Sequence, residues 1–152
     1  MRPEDLYHTG VVVEDFDATL RWLSDVAGYR WCDDLEFEQV VWTPDGEKAV
    51  SIRFTYSMDE PHLEVIQAVA GTVWTPSTSG VHHLGYWSDD VDHDLETLVD
   101  AGMRVEVKAP MPDGSSMWAY CRGERGPRVE LVSRALEPMM ASWFATGRSP
   151  FG

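Results

Sequence analysis

The sequence is poor in cysteine and has no long apolar run. Its two cysteines, Cys32 and Cys121, are too few for a disulfide framework and do not form a CxxC pair, so we expect reduced, partly buried thiols. No segment approaches the ~20 apolar residues of a membrane span. The charged N-terminus lacks the apolar stretch of a secretion signal. These absences indicate a cytoplasmic protein.

Basic residues are also scarce. Twelve lysines and arginines stand against 26 acidic residues, which leaves a formal charge of −14. Such a field repels a phosphate backbone and an anionic lipid surface, so we expect neither nucleic acid nor a membrane as a partner. The 152 residues, 43% of them hydrophobic, suffice for one domain or for two small modules that share a core.

An internal repeat organises the chain. Residues 8–24 match residues 83–99 at an offset of 75, since 83 − 8 = 75. The offset pairs His8 with His83, Gly10 with Gly85, Asp15 with Asp90 and Leu20 with Leu95. The segment HLEVIQ at 62–67 also resembles RVELVS at 128–133, with Glu64 opposite Glu130. Two matches in the same order favour a duplication.

Each half shows the pattern of a βαβββ module. An apolar, β-branched run comes first, acidic residues suited to a helix start follow, and apolar residues then recur at helical spacing up to a glycine. Three strand-like segments complete each half, separated by turns such as TPDGE and MPDGS. We therefore predict an α+β fold, a single domain over 1–152. Its parts are modules at 5–69 and 81–134, a linker at 70–80 and a C-terminal tail at 135–152.

The repeat places a histidine at the start and a glutamate near the end of each module. If the first and last strands are neighbours, His8 and Glu64 can share one face, and His83 and Glu130 can do the same. Pseudo-twofold pairing of the modules then brings all four to one centre. Imidazole and carboxylate both bind divalent first-row metals, and two carboxylates neutralise the metal charge. We predict a metal site of His8, Glu64, His83 and Glu130.

Other polar residues compete with this interpretation. His82 is the rival of His83, but adjacent strand residues face opposite sides, and the repeat register selects His83. His62 shares a face with Glu64 and is expected near the site or its pocket. His93 is expected in solvent on a helix. The acidic run at 89–94 lacks the DxDxDG pattern of a calcium loop and is predicted to be a solvated helix start.

The chain resembles the vicinal oxygen chelate superfamily, which includes glyoxalase I, methylmalonyl-CoA epimerase, extradiol dioxygenases and the bleomycin resistance proteins. The resemblance rests on YHTGVVVEDFDATLRWLSDVAGYRW, HLEVIQ, GVHHLGYWSDDVDHDLETLVDAGM and RVELVS. It is strongest to members of the epimerase and glyoxalase I type. It implies paired βαβββ modules in a cupped mixed sheet, a divalent metal (Zn, Ni, Co, Mn or Fe) and a homodimer. The family's metal positions fall on His8, Glu64, His83 and Glu130.

The resemblance also implies a reaction. A metal-bound substrate oxygen acidifies the adjacent C–H bond by stabilising an enolate, and a carboxylate moves the proton. Glu130 and Glu64 are the candidate catalytic residues. The expected function is a metal-dependent isomerase, epimerase or lyase acting on a small oxo or acyl substrate.

The substrate is expected to be apolar or ring-bearing, because the strands are rich in aromatic residues and no basic cluster suits glutathione or coenzyme A. Two alternatives stay open. One is a non-catalytic, resistance-type binder of a drug or metabolite. The other is an Fe(II)-dependent dioxygenase, which the glutamate at position 64 disfavours.

Overall fold

A computed structural model describes residues 1–151 of the chain. The first half folds as one βαβββ module: β1 (Leu6–Val13), α1 (Phe16–Ala27), β2 (Leu35–Thr43), β3 (Gly46–Tyr56) and β4 (His62–Gln67). The second half repeats it: β5 (His83–Ser88), α2 (Val91–Asp100), β6 (Arg104–Pro110), β7 (Ser116–Arg122) and β8 (Arg128–Ser133). The tail adds α3 (Glu137–Thr146). None of the helices in the described residues is long and apolar enough to cross a membrane.

The helices begin where the acidic pairs predict. Asp15 caps α1 by accepting a hydrogen bond from the Ala18 amide, and Asp90 caps α2 by accepting one from the His93 amide. Both caps satisfy amides that have no partner within the helix. Helix α1 ends at Gly28, whose φ of 74° is left-handed. The repeat therefore extends from sequence to helix capping.

The strands form one mixed sheet in the order β1-β4-β3-β2-β6-β7-β8-β5, and β5 pairs back onto β1. The first and last strands of each module are parallel neighbours, as the sequence predicts. Two antiparallel seams join the modules: β1 with β5, and β2 with β6, where Trp42 pairs with Lys108. The cupped sheet expected for the family is present, and the second seam closes it into a barrel.

The core lies partly inside the barrel and partly beneath the helices. Inside, valine, isoleucine and aromatic side chains from both modules pack together, and Trp74 from the segment between the modules joins them at 2% exposure. Outside, α2 buries Val91, Leu95 and Leu98 against β7 and β8. Helix α3 packs Met140 and Trp143 against the barrel interior. Trp74 thus anchors the segment at 70–80 in the core, while most of its other residues are exposed.

Both cysteines are buried free thiols, as expected. Burial raises the pKa of the Cys32 and Cys121 thiols to about 11, so both stay protonated and unreactive near neutral pH. Two strand bounds differ from the sequence expectation. Strand β1 begins at Leu6, before the β-branched run, because pairing with β5 extends it. The sequence pattern predicts a strand over 29–42, but β2 begins only at Leu35, and before it Trp31 makes just an isolated bridge to Ser57.

Candidate metal centre

Four side chains converge inside the barrel. His8, Glu64, His83 and Glu130 each offer one ligand atom, and these four atoms lie within 4.8 Å of one another. The Nε2 atoms of the two histidines are 2.9 Å apart. Four distances from these nitrogens to the glutamate Oε2 atoms complete the cluster: His83 to Glu64 at 3.0 Å, His8 to Glu130 at 3.0 Å, His83 to Glu130 at 3.4 Å and His8 to Glu64 at 3.5 Å. The structure brings together the four residues that the repeat singles out.

The register at the β1–β5 seam explains how the two histidines meet. His8 pairs with Gly85, and Gly10 pairs with His83. A Cβ atom on Gly85 would lie 1.8 Å from the His8 ring, and one on Gly10 would lie 1.9 Å from the His83 ring. Each glycine therefore leaves room for the imidazole of the other module. The repeat pairs these two glycines in the sequence, but only the register of the strands explains why glycine stands there.

The glutamates reach the centre from the neighbouring parallel strands. Glu64 on β4 lies opposite Gly10 on β1, and Glu130 on β8 lies opposite Gly85 on β5. Since side chains in register on adjacent strands share a face, each carboxylate enters the barrel beside the glycine that makes room for an imidazole. The centre is consequently built by both modules, with equivalent contributions from each.

The cluster is buried, which makes its charge the main physical problem. All four residues are at most 6% exposed. Neither Oε2 atom receives a hydrogen bond of acceptable geometry from any residue between 1 and 151. Two buried carboxylates without compensating positive charge would cost several kcal/mol each. The site therefore needs close to two positive charges.

The imidazoles supply part of this charge as protons. Burial by itself would lower the pKa of His83, but the nearby Glu130 and Glu64 carboxylates raise it to about 9. The pKa of His8 is raised by the same carboxylates against the same burial. Burial would raise the pKa of Glu64, but the two imidazoles lower it well below its usual value. The four groups stabilise one another's charged forms.

Protons on the imidazoles do not fully neutralise the two buried carboxylates. Two Nε2 atoms 2.9 Å apart have room for one proton between them, so both cannot point an N–H at the other. A divalent cation needs all four lone pairs free and brings two charges. With metal–ligand bonds of about 2.1 Å, adjacent ligand atoms lie about 3.0 Å apart at 90° and about 3.4 Å apart at the tetrahedral angle. The five distances given above span 2.9–3.5 Å and all four ligand atoms lie within 4.8 Å of one another, so the donor set fits a first-row cation.

The other histidines and the acidic run lie outside the cluster. His82 lies beside His83, with its Nδ1 2.9 Å from the Nδ1 of that candidate ligand, and burial lowers the pKa of His82 to about 4. His62 bonds to the Ser57 carbonyl and stacks on Phe144 with ring centroids 3.9 Å apart. His93 is exposed, as expected. Asp90 caps α2 and Asp89 is exposed beside Arg134, as expected of a solvated helix start. Asp92 and Asp94 instead bond to Ser116 and Ser88, and the Asp94 side chain is only 18% exposed.

An apolar cavity of about 130 Å³ adjoins the centre, and both glutamates line it. Tyr56 lies opposite Glu64 on the adjacent strand, and Tyr120 lies opposite Glu130, so the repeat places one tyrosine in each module. Burial and the two carboxylates raise the pKa of both phenols well above 10. Each phenol therefore stays protonated and can donate a hydrogen bond.

Several cavity residues were missed by sequence reasoning. Tyr7 directly precedes His8, Trp74 belongs to the segment between the modules, and Met140 and Trp143 belong to α3. The aromatic residues of the strands were noted, and Phe54, Tyr56, Trp118 and Tyr120 line the cavity. Trp42 is 40% exposed on the barrel exterior. The tail carried a signal, since EPMMASWFA predicts a short helix whose methionine, tryptophan and phenylalanine cover a core edge or a partner subunit, and α3 forms in that segment.

Lysine and arginine are absent from the walls of this cavity, as far as residues 1–151 define them. The arginines that the sequence left unassigned bond elsewhere. Arg53 pairs with Asp17 and Asp34, and Arg128 pairs with Glu106. The cavity thus offers carboxylates, phenols and apolar surface, but no lysine or arginine side chain among its described walls.

Residues 7–121 match the sequence profile of the Glyoxalase/Bleomycin resistance protein/Dioxygenase superfamily. No curated protein matches the chain. Among solved structures, a methylmalonyl-CoA epimerase in complex with methylmalonyl-CoA and NH4+ is similar, with a TM-score of 0.59 and 20% identity. The match covers 85% of this chain and 93% of that one. The Mycobacterium tuberculosis methylmalonyl-CoA epimerase has a TM-score of 0.51 and 19% identity, with 85% and 87% covered.

A mutant of 4-hydroxymandelate synthase from Streptomyces coelicolor is also similar, with a TM-score of 0.53 and 22% identity. That match covers 88% of this chain and 39% of the synthase. At identities this low, the likeness shows a common fold and not a common reaction. What the site does must be argued from its own residues.

Proposed function

This chain belongs to the glyoxalase/bleomycin resistance protein/dioxygenase superfamily, and from that premise we propose that it is a metal-dependent isomerase, epimerase or lyase. Its substrate is a small oxo or acyl compound with an apolar or ring-shaped body. The observation that carries the proposal is the convergence of two imidazoles and two carboxylates, with both carboxylates lining an apolar cavity.

His8, Glu64, His83 and Glu130 would hold the cation. A bound divalent ion of the zinc, nickel, cobalt, manganese or iron class supplies Lewis acidity, which polarises a substrate oxygen and acidifies the neighbouring C–H bond. The repeat-related glycines keep the two imidazoles in contact, and the parallel strand pairs hold the carboxylates beside them. The protein scaffold thus presents a rigid donor set at one side of the cavity.

Glu64 and Glu130 are the proposed proton carriers, because both line the cavity and they come from opposite modules. One carboxylate takes a proton from a substrate carbon. If the other returns a proton to the opposite face of the same carbon, the product is the epimer. If the first returns it to a neighbouring atom, the product is an isomer. Loss of a neighbouring leaving group after proton removal gives the lyase reaction.

Tyr56 and Tyr120 have a supporting role in this proposal. Each lies across from a glutamate on the adjacent strand and stays protonated. A phenol in this position can donate a hydrogen bond to a substrate oxygen and so fix which carbon faces the carboxylate. The apolar walls exclude water, which strengthens such hydrogen bonds.

The cavity limits the size and charge of the substrate. An engineered apolar cavity of about 150 Å³ binds benzene, so the 130 Å³ here holds about one small ring. Away from the metal centre, the absence of lysine and arginine from its described walls disfavours a phosphate-bearing substrate. The relatives with methylmalonyl-CoA in their names therefore do not suggest a coenzyme A substrate for this chain.

Non-catalytic binding is the second candidate, and one observation favours it. Helix α3 covers the cavity with Met139, Met140 and Trp143, which suits retention of an apolar ligand. Ring-cleaving oxygen chemistry has less support. It typically uses two histidines and one carboxylate with three open positions, and Glu64 adds a fourth protein donor.

Metal analysis followed by proton exchange tests the proposal. Protein purified without chelator should contain about one divalent ion per chain. In D2O, the protein should catalyse exchange of the C–H proton next to the carbonyl of uncharged aryl or alicyclic α-hydroxyketones for deuterium. The loss of that proton's signal is followed by proton NMR. Glu130→Gln should abolish exchange, whereas Glu60→Gln, a control at a side chain 87% exposed, should not.

A metal-free wild type would contradict the enzyme assignment, and exchange that persists in Glu130→Gln would contradict the role of Glu130 as a proton carrier. Ligand binding without exchange by metal-loaded protein would instead support the binder. The expectation of a cytoplasmic homodimer, with no nucleic-acid or membrane partner, stays a prediction, and light scattering of the purified protein tests the dimer.

A further inference from the structure

We infer that His82 is a positioning residue for the candidate metal centre. Its imidazole connects His83 to the backbone carbonyl of Val73 and thereby selects which nitrogen of His83 faces the cluster. The inference rests on the proposed metal centre. It follows from two hydrogen bonds, His83 Nδ1 to His82 Nδ1 at 2.9 Å and His82 Nε2 to the Val73 oxygen at 2.8 Å.

The direction of both hydrogen bonds follows from the acceptor at one end, the Val73 carbonyl. A carbonyl oxygen only accepts, so His82 must carry a proton on Nε2. A second proton on Nδ1 would make His82 a buried cation bonded to another imidazole and a carbonyl, with no carboxylate as a direct partner. The Nδ1 of His82 is therefore bare and accepts a hydrogen bond.

The consequence for His83 follows directly. Because the Nδ1 of His82 accepts, the Nδ1 of His83 must donate and carries a permanent proton. Only the Nε2 of His83 can then give its lone pair to a cation, and this is the atom 2.9 Å from His8 Nε2 and 3.0 Å from Glu64 Oε2. Metal-binding histidines commonly bond through their other nitrogen in this way, which fixes the tautomer and the ring orientation.

The segment between the modules holds the acceptor in place. Trp74, 2% exposed, anchors it in the core, and the Val69 amide donates to the Trp74 carbonyl. The Thr72 hydroxyl donates to the Val69 carbonyl and accepts from the Trp74 amide. The Val73 carbonyl is thus a fixed point, and His82 transmits its position to His83.

The two modules differ here. At the offset of 75 that relates them, the equivalent of His82 is Tyr7. No residue that the structure describes bonds to the Nδ1 of His8, whose ring is packed edge-on against Tyr7 and Tyr56. His83 is therefore held by directed hydrogen bonds and His8 by packing. The centre has one ligand with a selected tautomer and one without.

Zinc affinity, measured by competition with a chromogenic chelator, tests the inference. His82→Phe keeps an aromatic ring but removes both hydrogen bonds, and we expect 10- to 100-fold weaker zinc binding, the usual cost of losing such a partner. His82→Asn retains an acceptor near the Nδ1 position and should recover most of the loss. His62→Phe is the matched control, since it removes another buried imidazole bonded to a backbone carbonyl, and it should leave zinc affinity unchanged.

Nitrogen-15 NMR of the histidine rings gives a readout that needs no variant. In both metal-free and zinc-loaded wild type, we expect a proton on His83 Nδ1, a bare Nδ1 on His82, and a coupling between these nitrogens through the hydrogen bond. A proton on His82 Nδ1, or wild-type zinc affinity in His82→Phe, would overturn the role of His82 while leaving the metal centre intact. Failure of wild type to bind zinc would instead overturn the proposed function.

Discussion

Replacing Gly85 with alanine should displace a candidate metal ligand without replacing any titratable side chain. The added Cβ would lie 1.8 Å from Cε1 of His8. Carbon atoms in contact are normally about 3.5 Å apart or more, so the His8 ring has to move by about 1.7 Å. Metal–ligand distances tolerate deviations of only about 0.2 Å. His8 should therefore leave the donor set. Loss of a residue that merely supports a ligand weakens metal binding by about 10- to 100-fold, so loss of the ligand itself should lower zinc affinity by at least about 100-fold.

The expected effect on stability can be worked out from linkage. At a zinc concentration 100 times the wild-type Kd, zinc stabilises wild type by about 2.7 kcal/mol. A variant with 100-fold weaker binding gains only about 0.4 kcal/mol at that concentration. For a chain of this size, 1 kcal/mol shifts Tm by about 2–4 °C. Zinc should thus raise Tm by roughly 5–10 °C in wild type and by about 1–2 °C in Gly85→Ala.

Thermal unfolding with chelator and with zinc is the assay, and the chain supplies a matched control. A Cβ on Gly123 would meet its nearest neighbours at 3.6 Å or more, which is ordinary contact. Gly123→Ala should therefore keep the full zinc-dependent shift, whereas Gly10→Ala, 1.9 Å from the His83 ring, should lose it. A normal zinc-dependent shift in Gly85→Ala would refute the argument that the glycines make room for the ligands.

The remaining predictions concern the cluster and the covering helix. Glu64→Gln and Glu130→Gln should each weaken zinc binding by at least about 100-fold, measured by chelator competition, and equal affinity in either variant would remove that residue from the donor set. Because the carboxylates raise the pKa of His83 to about 9, zinc must displace a proton below that pH. The apparent affinity should therefore rise about tenfold per pH unit from 6 toward 9 and then level off, and a flat profile would contradict it. Trp143→Ala should lower the free energy of unfolding by roughly 3–5 kcal/mol in urea titrations because the side chain is 1% exposed, whereas Trp22→Ala, at 60% exposure, should change it by less than about 0.5 kcal/mol.

Sequence reasoning reached the donor set through periodicity. Histidine and glutamate recur at equivalent places of two modules, and side chains on a strand alternate between faces. The first and last strands of a module therefore had to be neighbours for each pair to share a face. The structure has that pairing, with β1 beside β4 and β5 beside β8. A repeated local pattern carries this information because it constrains both modules at once.

The long-range features were not accessible in the same way. That His8 meets Gly85 across the β1–β5 seam depends on a register between strands 75 residues apart. The closing contact between Trp42 and Lys108, and the placement of α3 over the cavity, also depend on packing between distant segments. The spacing of residues along the sequence does not predict such contacts.

His82 shows the division most clearly. From the sequence, His82 was the alternative to His83 as a metal ligand, because adjacent residues in a strand face opposite sides and only one can join the site. In the structure, His82 lies outside the cluster. Yet strand β5 begins only at His83, so the His82 ring turns back and bonds the ligand beside it. The repeat determined which residues can meet at a metal. Tertiary packing decided the cavity, its cover and the hydrogen bonds that orient the ligands, because these depend on where distant backbone segments come to rest.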